Sequence, residues 1–324
     1  MRYAATEKHE IIRTVEDSSL GITQTLRQLD IPKSTFYHWY DRYLTGGVEA
    51  LEDQKPPLHT SWNQVPEEIR HALVEVALDL PDLSPRELAV RFTDERRYFI
   101  SEATVYRFLK ARDLVTSPAW IVLKAADRFA QPTTAINQLW QTDFTYLKVT
   151  GWGWYYLSTV LDDFSRYILA WRLCQTMNAR DVAATLKDAL KVAGLSKKQR
   201  PKLLSDNGPC YISSELQDWL KAHELSHTRG KPYHPMTQGK IERWHRSLKN
   251  RILLENYYLP GDLEQEIGAF VTHYNERRYH ESLNNLTPED VWCGRGQAIL
   301  DDRRKLKENT LKRRRLLYYQ RKTA

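Results

Sequence analysis

Three strand-like runs follow one another between residues 139 and 173, and they constrain the chain more than any other feature. LWQTDFTYLKV spans 139–149, Gly151–Trp152–Gly153 reads as a turn, WYYLSTVLDDF follows at 154–164, and RYILAWRL at 166–173. Runs rich in β-branched and aromatic residues, joined by connections this short, pair antiparallel in a meander. The texture then changes to alternation. NARDVAATLKDALKVAG reads as a helix from Asn178, with Val182, Leu186, Leu190 and Ala193 on one face. PKLLSD is a short strand, ELQDWLKAH a helix, SHTR another short strand, and Gly239 opens a long helix to about Leu254. A meander followed by alternating helices and strands predicts an α/β domain with a mixed sheet. Further helices are expected from Pro260–Gly261–Asp262, carrying Leu263, Ile267, Phe270, Val271 and Tyr274, and after the cap Thr287–Pro288.

The residues ahead of this domain read as all-α. Ile11, Ile12 and Val15 keep helical spacing, and a short helix covers about Ile22–Leu29. After a break at Asp30–Ile31–Pro32, a third helix over Lys33–Leu44 puts Phe36, Tyr40 and Tyr43 on one face. This is the helix-turn-helix layout, with the last helix as the reader. Lys33, Ser34, Thr35, Tyr37 and His38 would then face a DNA groove. A plain three-helix bundle is the alternative. The layout recurs: Pro66 opens a helix, Ser84–Pro85–Arg86–Glu87 forms a capping box, and Ser101 caps a helix that turns Val105, Phe108 and Leu109 inward and Thr104 and Arg107 outward. Two copies in tandem favour DNA binding over a bundle. The expected organisation is a helix-turn-helix unit over 1–60, a second over 61–113, a linker over 114–137, the α/β domain with a helical extension over 138–295, and a basic tail over 296–324.

The net charge of +7 is unevenly placed. Residues 303–324 carry ten Lys/Arg against Glu308 alone, a net +9, and residues 229–251 carry seven against Glu242, a net +6. Residues 1–112 sum to −3, which argues against a strong backbone binder there. The tail reads either as a solvated, partly disordered end or as a nucleic-acid contact. On the second reading, removing 303–324 should weaken non-specific DNA binding and its salt dependence while leaving the active site intact.

Composition excludes several classes. The 10 Trp, 18 Tyr and 8 Phe need a core, so the chain is not disordered as a whole. No run approaches the roughly 18 apolar residues of a membrane span, and MRYAATEKHE does not read as a signal peptide. Cys174, Cys210 and Cys293 lack CxxC spacing, so neither a disulfide framework nor a structural zinc site is expected.

Three acids stand out by position. Asp143 interrupts the first strand, where Asp is disfavoured and a buried charge is costly unless paired or metal-bound. Asp206 ends the fourth strand, before the turn Asn207–Gly208–Pro209, where sites form in α/β sheets. Glu242 lies early in the long helix, beside the stripe Ile241, Trp244, Leu248, Ile252 and on the same side as His245 and Lys249. Singly, they read as a satisfied buried acid, a turn former and a surface charge. Together they match a cage for two hard cations about 3.5–4 Å apart, one activating an attacking hydroxyl and one stabilising the leaving oxygen of a phosphodiester.

QTDFTY, LSDNGP and YHPMTQGKIERWHRSLKN, with 35 residues between Asp206 and Glu242, resemble the DDE signature of bacterial insertion-sequence transposases in the retroviral-integrase superfamily. LDDFSRYILAW and HYNERRYHESLNNLTPEDVW resemble the same core, so the likeness covers about 138–295. It implies an RNase H-like catalytic core and a Mg²⁺- or Mn²⁺-dependent transposase with two ions per site, with Asp143, Asp206 and Glu242 as catalytic metal ligands. It implies element terminal repeats and target DNA as partners, a homo-oligomer, no membrane, and a cytoplasmic, nucleoid-associated bacterial protein. Asp162 and Asp163 are not carried over as ligands, because a strand-end turn explains them. No Cys precedes Cys174, so the zinc module of retroviral integrases is not expected. Lys240, Arg243, Arg246 and Lys249 would hold DNA phosphates, and the Pro-rich loop at 232–238, including Tyr233–His234–Pro235, would order on DNA or serve as a turn. Two other readings stay open: a DNA-binding regulator with a degenerate core, and an RNase H-like nuclease that cleaves without joining.

Overall fold

The computed structural model describes residues 3–18, 20–52, 61–114, 133–195, 199–230 and 239–323. Most of the linker over 114–137 and the loop at 232–238 lie outside these residues. The chain divides into two compact units, Met1–Ser61 and Trp62–Ala324.

The first unit holds α1 (Ala5–Glu16), α2 (Ile22–Gln28) and α3 (Lys33–Gly46). Its core is Ile12, Val15, Leu26, Ile31, Phe36, Trp39 and Leu51. The third helix buries Phe36 and Trp39, while Tyr40 and Tyr43 pack at the margin. The inward stripe is thus turned one position from the expected Phe36–Tyr40–Tyr43 face. Buried Lys8 donates its ammonium to the Leu51 carbonyl at 3.0 Å, tying the first helix to the end of the unit.

The second unit opens with α4 (Glu67–Asp79), α5 (Pro85–Arg96) and α6 (Glu102–Lys110) around Leu73, Leu88, Phe92, Ile100 and Val105. The capping box at Ser84 forms as expected: its hydroxyl accepts from the Glu87 N–H and the Glu87 carboxylate accepts from the Ser84 N–H. Ser101 holds the N-cap position of α6, but its hydroxyl engages Thr104 Oγ1 at 2.8 Å and leaves the backbone uncapped.

The sheet is mixed, in the order β3-β2-β1-β4-β5. β1 (Leu139–Val149), β2 (Gly153–Asp162) and β3 (Ile168–Cys174) form the antiparallel meander. β4 (Lys202–Ser205) and β5 (Ser226–Arg229) add on in parallel. Gly151 and Gly153 take positive φ in the β1–β2 turn, where a side chain would strain the backbone. Both faces are covered. Trp140, Val160 and Leu169 pack against α7 (Ala179–Ala193), α8 (Pro209–Ile212) and α9 (Ser214–Ala222). Leu147, Val149, Leu157 and Leu161 pack against α10 (Gly239–Ile252) and α11 (Pro260–Glu276). Burial on both sides explains why β2 reads as a nearly continuous apolar run. The short α12 (Pro288–Trp292) is capped by Thr287. Among the described residues no helix is long and apolar enough to cross a membrane.

The basic tail is not a frayed end. Residues Gly296–Thr323 form one helix, α13, which packs on the second helix-turn-helix unit. Arg303 donates to both oxygens of Asp94, and Arg97 pairs with Asp302. Thr310 Oγ1 accepts from the Phe99 N–H at 3.1 Å. Arg314, only 6% exposed, donates to Tyr98 Oη, Asn63 Oδ1 and the Phe99 carbonyl at 2.8–3.0 Å. A charge count cannot separate cations that face solvent from cations that close an interface, and here Arg303 and Arg314 face inward.

Candidate active site

Strand pairing brings the first two acids together. β4 runs parallel to β1 with Gln141 opposite Leu204, and pairing stops there. Continuing that register two residues sets Asp206 alongside Asp143, on the same face. Asp206 leaves the sheet in a tight turn, where its Oδ1 accepts from the Gly208 N–H at 2.9 Å. A Cβ at Gly208 would lie 3.1 Å from that oxygen, so this position favours glycine.

The third acid is brought in by a buried polar network at the start of α10. Gln141 Oε1 accepts from the Ile241 N–H at 3.1 Å, while its Nε2 donates to Asp163 Oδ1 at 2.7 Å. Asp163 is also held by Thr133 Oγ1 and by Lys240 Nζ, both at 2.5 Å. The Lys240 and Asp163 side chains are only 10% and 4% exposed. Glu242 follows directly, so its position depends on this clamp. Lys240, read from sequence as a phosphate contact, has its ammonium inside the protein instead. Asp162 is the turn former: it accepts from the Asn137 N–H and from the Ser165 N–H and hydroxyl. Gln141 went unread as a site residue, and Asp163 and Lys240 went unread as a pair, because only the strand-to-helix docking makes them neighbours.

The clamp makes a measurable prediction. Asp163→Asn removes the carboxylate charge that faces the buried Lys240 ammonium, while the residue-163 carbonyl still accepts from it, and is expected to destabilise the second unit by about 3 kcal/mol in urea unfolding. An Asp163→Leu, Lys240→Met double variant should recover much of that loss, since an apolar pair removes both buried charges. A wild-type unfolding midpoint in the single variant would show that the pair carries no such weight.

Asp206 and Glu242 both sense the charge of Asp143. Partial burial raises the Asp206 pKa, against the pull of the Gly208 N–H, and the Asp143 charge raises it further. Burial and then the Asp143 charge raise Glu242, with Arg246 and His245 opposing. Burial and then Asp206 push the Cys210 thiol up to about 11. His245, buried, places Nδ1 3.5 Å from Asp143 Oδ2, while its Nε2 has no hydrogen-bond partner among the described residues. Sequence spacing had put His245 on the Glu242 side without giving it a role. Among the described residues no three His, Cys, Asp or Glu side chains gather closely enough to hold a metal ion. The three acids therefore form an electrostatically coupled group that is not drawn in as a closed cage.

The cations expected at DNA divide. Arg243 and Arg246 are exposed on α10, and Lys249 lies half-buried over the Tyr146 ring at 4.1 Å. In the first unit, Lys33, Ser34, Tyr37 and His38 are exposed along α3 and Thr35 is half-buried. On α6, Arg107 is exposed and bonds the Ala103 carbonyl and Thr104 Oγ1, and Thr104 is half-buried.

An integrase core domain matches residues 133–235, and a second integrase-core model matches 223–288. Homeodomain-like domains match residues 3–52 and 35–109. The transposase for insertion sequence element IS904 of Lactococcus lactis subsp. lactis (strain IL1403) is 28% identical over 161 residues, covering 48% of this chain and 62% of that protein. Transposase InsF for insertion sequence IS3A of Escherichia coli (strain K12) is 30% identical over 158 residues, covering 47% of this chain and 53% of that protein. The chain thus spans between half and two thirds of the length of these two relatives. Among solved structures, the magnesium complex of the HTLV-2 integrase catalytic core domain aligns with a TM-score of 0.39 at 22% identity, covering 48% of this chain and 97% of that one. The chain carries an integrase core domain preceded by homeodomain-like helix-turn-helix domains, and over about half its length it is similar to insertion-sequence transposases.

Proposed function

We propose that this protein is a DNA transposase. It binds the terminal repeats of its element, cleaves a phosphodiester to free a 3′-OH, and joins that 3′-OH to target DNA. What supports the reading is that Asp206, at the end of β4, and Glu242, on α10, each feel the charge of Asp143 on β1, over a stretch that integrase core domains match. The donor set suits hard divalent cations: it is all oxygen, and each of the second and third acids is raised by the charge of the first. Asp143, Asp206 and Glu242 would hold two Mg²⁺ or Mn²⁺ ions, which when bound lower the pKa of an attacking hydroxyl and stabilise the leaving oxygen. The chain's own cations position the strand: Arg243, Arg246 and Lys249 hold backbone phosphates along α10, with no sequence information of their own. The exposed polar faces of α3 and α6 read the element ends. Synapsis of two ends calls for a homo-oligomer, and a nucleoid-associated, cytoplasmic location goes with that substrate.

The test is strand transfer on oligonucleotides carrying the element's ends. Cleavage without joined products would point to a plain nuclease, and normal DNA binding without either would point to a regulator. Activity that persists in EDTA would overturn the metal-dependent reading.

The raised pKa values give a pH dependence. Asp206 and Glu242 must be ionised to bind a cation, and in the metal-free protein each holds its proton to a higher pH than an ordinary carboxyl. By linkage, these two groups favour the metal-free fold below the ordinary carboxylate range, and that contribution is lost as pH rises through their raised values. Apparent Mn²⁺ affinity should therefore climb as pH rises through the same interval, with proton release seen by calorimetry in buffers of different ionisation enthalpy. Affinity flat across that interval would contradict it.

A further inference from the structure

Behind the acids, on the other face of the sheet, a buried polar network interrupts the apolar packing of β1 and β4 against α8 and α9. Strand alternation sets it there. Gln141 and Asp143 face α10, so Trp140 and Thr142 face the other way, and in β4 Leu203 and Ser205 do the same. Thr142 and Ser205 each precede one of the acids, and both are fully buried. A buried hydroxyl is costly without a partner, and each has one. Thr142 Oγ1 lies 3.3 Å from Oη of buried Tyr211 on α8. Ser205 Oγ donates to the Asp206 carbonyl at 2.8 Å and lies 2.8 Å from His227 Nε2 on β5. Gln217 on α9 donates through Nε2 to the Tyr211 carbonyl and to His227 Nδ1, both at 3.3 Å.

The direction of each bond follows from the donors. A serine hydroxyl has a single proton, and the Asp206 carbonyl takes it, so His227 Nε2–H donates to Ser205 Oγ. An amide nitrogen only donates, so Nδ1 keeps its lone pair for Gln217. The imidazole is then neutral, in keeping with the burial and the Arg229 charge that lower its pKa. One arm of the network runs from Gln217 through His227 and Ser205 to the backbone of Asp206. The other runs from Gln217 through Tyr211 to Thr142, beside Asp143. The pairing of β1 with β4 stops at Gln141 and Leu204, one residue short of Thr142 and Ser205. The network begins where the ladder ends, and Gln217 ties its two arms together.

We propose that Tyr211, Gln217 and His227 are positioning residues that hold Asp143 and Asp206 at a fixed separation for binding divalent cations. The inference rests on the metal-dependent transposase reading. Two cations about 3.5–4 Å apart tolerate little change in the spacing of their ligands, and partners that fix ligands from behind commonly control metal affinity by about tenfold or more.

Calorimetry of Mn²⁺ binding to the metal-free full chain tests it, together with the unfolding temperature in EDTA and strand transfer as a function of Mn²⁺ concentration. His227→Leu and Tyr211→Phe should each bind Mn²⁺ about tenfold more weakly. Half-maximal joining should need correspondingly more Mn²⁺, with unchanged affinity for a duplex carrying the element's end. His227→Gln returns an N–H donor near the Nε2 position and should recover most of the Mn²⁺ affinity. Variants that unfold at a lower temperature in EDTA yet bind Mn²⁺ like the wild type would overturn the proposal, because the network would then support the core alone. A His227→Gln variant as weak as His227→Leu would overturn it too. A wild type that binds no Mn²⁺ would overturn the metal-dependent reading and the positioning role with it. Mn²⁺ affinity that falls as expected in a chain that joins no ends would fail the transposase reading and leave the network standing.

Discussion

Strand transfer should fall by about 10³-fold or more when Asp143 is replaced by Asn, on the scale of losing a group that stabilises transition-state charge. Asp206→Asn and Glu242→Gln should fall comparably. The isosteric amides keep the shape and remove a charge, which separates catalysis from folding. Stability should move the other way in the metal-free protein. The Asp143 charge raises both Asp206 and Glu242, so removing it relieves repulsion at neutral pH. The expected pattern for Asp143→Asn is an unchanged or higher unfolding temperature without metal, a smaller rise on adding Mn²⁺, and no joined product. Wild-type strand transfer in this variant would remove Asp143 from the active site. A lower unfolding temperature without metal would show that the acid is a structural one satisfied by its surroundings.

Loss of α13 should unsettle the second helix-turn-helix unit. The helix contributes Arg303 to Asp94, Thr310 to the Phe99 N–H, and Arg314 to Tyr98, Asn63 and the Phe99 carbonyl. Arg314→Ala alone is expected to cost about 3 kcal/mol, since it removes charge-assisted hydrogen bonds and leaves buried acceptors unpaired. Urea unfolding followed by circular dichroism measures it, and protease cleavage within 62–112 should rise in parallel. An unaltered midpoint would show that α13 rests on the unit without supporting it. The brace also decides how the tail's charge is to be tested. Deleting 303–324 removes a structural support together with the cations, so a loss of DNA binding would not report phosphate neutralisation. Replacing exposed Lys305, Lys312 and Arg313 by neutral residues separates the two. If these side chains meet phosphates, the dependence of affinity on salt should become shallower by about 0.9 for each duplex phosphate left without its cation.

Much of the core was legible because its signals are local. LWQTDFTYLKV is β1 from end to end, and Asn178 and Thr287 cap the helices they precede. These features depend on alternation and on hydrogen bonds between residues three apart, which a sequence displays directly. The DDE-like spacing was readable for a different reason: acids on separate elements that serve one site would sit at separations the intervening fold sets. The buried stripe of α3 centres on Phe36 and Trp39, with Tyr40 and Tyr43 packed at its margin, because adjacent Trp39 and Tyr40 carry similar apolar weight and packing around Ile12 and Leu26 decides which is buried.

The sequence alone determined the α/β class, the mixed sheet and the tandem helical units ahead of it, and it singled out the three acids on which the proposed function rests. Each follows from periodicity, capping or the tolerance of a strand for charge. Only the tertiary structure decided what the cations do. Lys240 faces Asp163 because α10 docks its first turn on Gln141, and Arg303 and Arg314 face inward because a helix from the far end of the chain meets α5 and the turn after it. Charge summed along a sequence is blind to direction, and whether a cation meets a phosphate or closes an interface depends on which surface its helix presents.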